Sequence, residues 1–171
     1  PAGAHAYLPV RDPSASLVKV LDMDPTSPTH QQIVATLALP GATPQPITTR
    51  IEFTPDGNRC LLLTRGDSAP AIRSLVMLDS TDPAAPTLGP STVLSAAAEL
   101  DEDAMSVSPR GDRVIVGVRD TGLFHYEIQA LPDDLVLLEQ TGDAGDHGAG
   151  VGMEYSVDGS TVFLLSEATE S

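Results

Sequence analysis

"FTPDGNRCLLL", residues 53–63, places a turn between two apolar runs. Pro or Asp ahead of a glycine presets a tight turn, and the glycine supplies the positive φ that such a turn requires. Nearly the same sentence returns as "VSPRGDRVIVGV" from Val107 and as "YSVDGSTVFLL" from Tyr155. The turn glycines Gly57, Gly111 and Gly159 stand 54 and 48 residues apart. Each closes a short strand pattern ("TRIEFTPDG", "AMSVSPRGD", "GMEYSVDGS") and opens a dense apolar one ("RCLLLTR", "RVIVGVR", "TVFLLSE"). A strand covered on one face alternates apolar with polar. These strands are apolar at consecutive positions, so both faces must be covered, as in sheets stacked face to face.

A second unit repeats between the turns. "SLVKVLDMDPTSPT" (16–29) and "SLVMLDSTDPAAPT" (74–87) share an apolar strand, a Leu-Asp end, an Asp-Pro turn and a closing Pro-Thr. Each leads into a further strand pattern, "QIVATLAL" (32–39) and "STVLS" (91–95), and the third unit offers "GLFHYEI" (122–128) and "DLVLLEQ" (134–140). Helical periodicity is nearly absent; "LSAAAELDEDA" (94–104) has helical propensity but is expected to be an irregular loop between repeats. Four strands per unit of about 50 residues is the arithmetic of a β-propeller blade. The expected fold is all-β, a propeller of four-stranded antiparallel blades, in blade portions 1–47, 48–103, 104–149 and 150–171.

The strand patterns number about thirteen: the last three of one blade, two full blades and the first two of another. Propellers use about 4–8 blades, so about three predict part of a larger ring. Its remaining blades would come from a longer parent chain or a second copy, with a compact four-bladed ring as the alternative. The chain opens on Pro1, as expected of a processed product or a piece of something longer.

The totals narrow the functions. With 9 basic against 24 acidic residues the net charge is −15, which repels phosphate backbones and anionic membranes, so no nucleic-acid partner is expected. Aromatics at 4% and the absence of Trp argue against recognition by ring stacking. No apolar run reaches the roughly 18 residues of a membrane span. The lone Cys60, inside "CLLL", is expected to be a buried, inert packing thiol.

The stretch from "AYLPV" and "LVKVLDM" through "QQIVATLALPGATPQPITTRIEFTPDG" resembles the repeat of YVTN-type propellers, and "LVMLDSTDPAAPTLG" resembles the LVIVD-type blade. The resemblance implies a seven-bladed, lactonase-like superfamily scaffold, non-catalytic binding or scaffold function, and a secreted, periplasmic or cell-envelope setting. It also raises a lactonase-like hydrolase as an alternative. Those enzymes carry Arg, His and Glu around the inner turn; here Glu167 fits the Glu, Arg50 fits the His place, and Val151 and Gly152 stand where Arg and His are wanted.

Three segments carry candidate sites. In "ELDEDA" the acids Glu99, Asp101, Glu102 and Asp103 lead into an inner strand; with Arg50 and Asp146 they are the candidate groups for a protein or small ligand at the channel mouth. The glycine-rich "TGDAGDHGAGVG" (141–152) gathers Asp143, Asp146 and His147, a candidate Ca²⁺ site whose spacing matches neither an EF-hand nor a zinc pattern. This offers a Ca²⁺-stabilised structural domain as a further alternative. The two "RGD" triplets fall at strand–turn boundaries, where Gly-Asp serves geometry. No histidine belongs to a recognisable nucleophile motif.

Overall fold

The computed structural model describes residues 4–12, 15–40, 47–66, 71–97, 104–118, 122–129, 135–141 and 150–166. All regular structure among them is β-strand, in four antiparallel sheets. The first holds β1 (His5–Asp12), β2 (Ala15–Asp22) and β3 (Ile33–Ala38) in the order β1-β2-β3. The second holds β4 (Ile47–Phe53), β5 (Arg59–Arg65), β6 (Ala71–Asp79) and β7 (Thr87–Ala97), and the third β8 (Ala104–Val107), β9 (Arg113–Val118), β10 (Gly122–Ile128) and β11 (Leu135–Thr141). Both are four-stranded meanders in sequence order, and β12 (Gly150–Tyr155) pairs with β13 (Val162–Ser166) in the last sheet.

The consecutive apolar residues of the second strands are explained by what lies on each side of them. From β5, Leu61 and Leu63 pack with Leu75 and Met77 against Val114, Val116, Phe124 and Tyr126 of the third sheet. Their sequence neighbours Cys60 and Leu62 point the other way, joining Val76 and Leu78 against Val18, Leu39 and Tyr7 of the first sheet. In β9 the same division holds: Ile115 turns to Met153 and Tyr155 of the last sheet, while Val114 and Val116 turn back to the second. The core is therefore a series of layers between neighbouring sheets. Each fully buried Leu or Val in it contributes about 1.5–3 kcal/mol.

The three expected turns are present and nearly superimposable. Gly57, Gly111 and Gly159 have φ of 71°, 71° and 72°. Their N–H groups donate to the carbonyls of Thr54, Ser108 and Ser156 at 2.8, 2.9 and 2.8 Å. The hydroxyls of the same three residues accept from the amides of Arg59, Arg113 and Thr161 at 3.1, 3.1 and 3.0 Å. A Ser or Thr three residues before the glycine thus caps both ends of the turn.

β7 departs from expectation. It runs from Thr87 to Ala97 rather than 91–95, and takes in Leu94–Ala97 of the stretch expected to be an irregular loop. Its place at the sheet edge accounts for this: Pro90 lacks an N–H, which an edge strand tolerates, and the pairing with β6 absorbs two register shifts.

Candidate functional site

The innermost strands β4, β8 and β12 are brought side by side, β4 against β8 and β8 against β12. Counting back five residues from each turn glycine gives Glu52, Ser106 and Glu154, one equivalent position on three successive inner strands. Ser106 is buried and its Oγ accepts the Tyr155 N–H at 3.3 Å, which ties β8 to β12. Glu52 is half-buried; burial, with the nearby Glu154 charge, raises its carboxyl above the usual carboxylate range, and Arg50 partly offsets this. Glu52 and the exposed Glu154 thus stand on the two inner strands that flank β8, with Arg50 on the same strand as Glu52.

Of the candidate residues named from sequence, Arg50 stands on β4, half-buried and opposite Leu63. Glu99, Asp101, Glu102, Asp103, Asp143, Asp146, His147 and Glu167 lie outside the described residues. Among the described residues no three His, Cys, Asp or Glu side chains gather as metal ligands. Glu52 and Glu154 were missed because neither belongs to a motif; the glycine-anchored alignment is the signal that finds them.

Cys60 is fully buried, and burial pushes its thiol far up, so it is the packing residue expected. His125 on β10 lies against the Tyr155 hydroxyl at 3.2 Å, joining the third sheet to the last. Burial, reinforced by the Arg113 charge and partly offset by Glu139, lowers its pKa.

A groove of about 480 Å³ opens between β1 and the turn that follows β4. His5 and Tyr7 form one wall; Phe53, Thr54 and Gly57 form the other. Tyr7 and Phe53 meet edge to face, with ring centroids 5.1 Å apart.

No protein-family model matches the chain, and no curated protein sequence matches it. Among solved structures it is similar to the β-propeller domain of Cps50 (Swd1) from Myceliophteria thermophila, with a TM-score of 0.60 and 15% sequence identity. The match covers 94% of this chain and 48% of that one, so the chain spans about half the length of its structural neighbour. No helix among the described residues is long and apolar enough to cross a membrane. Sheet topology, layered cores and structural neighbour agree: the chain has the fold of a β-propeller, built of four-stranded antiparallel blades and comprising part of a ring.

Proposed function

We propose that this chain is a non-catalytic binding or scaffold module, the portion of a seven-bladed propeller of YVTN/LVIVD type, divided into blades at 1–47, 48–103, 104–149 and 150–171. Further blades of the same kind complete the ring. The observation that carries the ring is the last sheet. Phe163 and Leu165 of β13 are 64% and 66% exposed. Their equivalents by distance from the turn glycine are Leu61 and Leu63 of β5, and Leu61, Leu63 and Ile115 are all buried against the sheet that follows. A next blade gives Phe163 and Leu165 the same cover.

The partner bound near the axis is basic. Glu52 and Glu154 supply carboxylates on the inner strands, and Glu99, Asp101, Glu102 and Asp103 add four in the segment leading to β8. A chain of net charge −15 steers cations toward them. The test is a titration with a lysine-rich octapeptide at low salt. Binding that weakens as salt rises, and falls about tenfold in the E52Q/E154Q double variant, is expected for two lost charge-assisted contacts. Unchanged affinity in that variant would move the site off the inner strands, and no binding at all would sink the basic-partner reading. A secreted or cell-envelope setting goes with the repeat type, and fractionation of the native host checks it.

A further inference from the structure

One junction between sheets is built differently from the other two. His125 lies opposite Ile115 on β9, as Met77 lies opposite Leu61 on β5, and Ile115 and Leu61 both stand four residues after a turn glycine. Met77 and Val20 each precede a Leu-Asp strand end, so Val20, Met77 and His125 hold one equivalent position in the first, second and third sheets. Val20 and Met77 are 0% and 1% exposed, whereas His125 is partly exposed. Tyr155, four residues before its turn glycine, has Phe53 and Val107 as its equivalents. Phe53 meets the Tyr7 ring across the first junction, and Val107 packs against the cluster that holds Met77 across the second. At the third junction an imidazole and a phenol stand in these places, and a hydrogen bond of 3.2 Å joins His125 Nε2 to the Tyr155 hydroxyl.

This pair differs from an apolar contact in having two protonation states near neutral pH. In the neutral ring, Nε2 can accept the phenol hydrogen. Imidazolium carries hydrogen on both nitrogens and can only donate, so the Tyr155 O–H must then turn to another acceptor. Tyr155 is buried, and among the described residues His125 is the only partner of its hydroxyl. The charged groups on the elements around the ring are few. β9 carries Arg113, with Asp112 just before it; β10 carries Glu127, opposite Arg113; β11 carries Glu139, opposite His125; and β12 carries Glu154. β8 and β13 carry none. Burial, then the Arg113 charge, outweigh Glu139 in setting the ring's preference for its neutral form.

We infer that the His125–Tyr155 hydrogen bond is a proton-sensitive latch between the third and last sheets, closed while the imidazole is neutral and released when it takes up a proton. The folded ring binds its proton less readily than a free one. The latch's contribution to stability is therefore complete above about pH 6.5 and is lost as pH falls through the lower folded value. At the first two junctions the equivalent positions hold Val20, Met77, Phe53 and Val107, none of which titrates in this range. The inference rests on the equivalence of the sheets and not on the basic partner proposed above.

The test is hydrogen exchange read by NMR at about pH 7.5 and about pH 5.5, on either side of the histidine range and corrected for the intrinsic pH dependence of exchange. Expected is a loss of protection of at least about threefold at the paired amides of β12 and β13 at the lower pH, with β5 and β6 unchanged. In H125M, which places the second sheet's residue at this position, that loss should vanish. A loss of the same size in H125M would overturn the inference, as would a uniform loss across all four sheets or no loss in the unaltered chain. Should H125M fail to fold, the His125 ring of the unaltered chain is titrated by NMR. A midpoint below about 6.5, with the Tyr155 signals moving in step, supports the latch. A midpoint at or above that value, or Tyr155 signals that do not follow, overturns it.

Discussion

The glycine turns carry their specificity in side chains one and three residues away. Asp56 accepts from the Thr54 hydroxyl at 2.6 Å and the Asn58 amide at 3.1 Å; Asp158 accepts from the Ser156 hydroxyl at 2.6 Å and the Ser160 amide at 3.0 Å. The middle copy has Arg110 at that position, and Asp112 takes over by accepting the Ser108 hydroxyl at 2.8 Å. The Ser156 hydroxyl, then the Ser160 amide, pull the Asp158 carboxyl down to about 2. A depressed folded-state pKa contributes stability that is fully present above the unfolded value near 4 and lost as pH falls through about 2. D158N should therefore flatten the acid limb of the stability curve between about pH 4 and pH 2, which thermal melts across that window would read. Gly111→Ala is a harsher change. Its φ of 71° costs an L-residue about 1–2 kcal/mol, and the new methyl would crowd Pro55 and Thr54. Urea denaturation should show a loss of at least that size, and none would mean the turn can flatten. The glycines were legible in sequence because φ is a property of the residue itself. The placing of Glu52 and Glu154 on strands either side of β8 was not, because it depends on contacts between strands about a hundred residues apart in the chain.

At the scale of the strand, β5 and β9 behave alike because both are covered twice. Leu62 is fully buried toward the first sheet and Leu61 toward the third. Either one cut back to alanine should cost about 2–5 kcal/mol; denaturant midpoints measure this, and a loss below about 1 kcal/mol for Leu62 would imply that the first sheet does not press on it. β13 has the same apolar run with cover on one side only. F163S and L165S, made together, should leave the melting temperature of the isolated chain nearly unchanged and reduce its self-association, read by light scattering. A large loss of stability would mean that these side chains are already packed. The extent of β5 and β9 was legible because turn residues bound them on one side and an unbroken apolar run defines them. That of β7 was not: edge strands tolerate proline and register shifts, so composition marks their limits poorly.

At the scale of the whole molecule, the fold was legible because its unit repeats and each copy supports the assignment of the others. The partner was not, because candidate binding residues fall in connections whose composition serves turning and solvation as readily as recognition. Charge is the exception. A net charge of −15 repels itself across the assembled blades, so added monovalent salt should raise the melting temperature. A melting temperature that falls with salt would show that attractive pairs outweigh this repulsion.

The seating of Gly111 on Pro55 and of Gly159 on Pro109 gives the molecule a direction. Each of these two turns rests on the one before it, about 50 residues earlier in the chain. During synthesis an emerging hairpin thus meets a finished platform already outside the ribosome. Assembly can advance one blade at a time at the pace of translation, with each unsatisfied apolar face exposed only until the next repeat arrives.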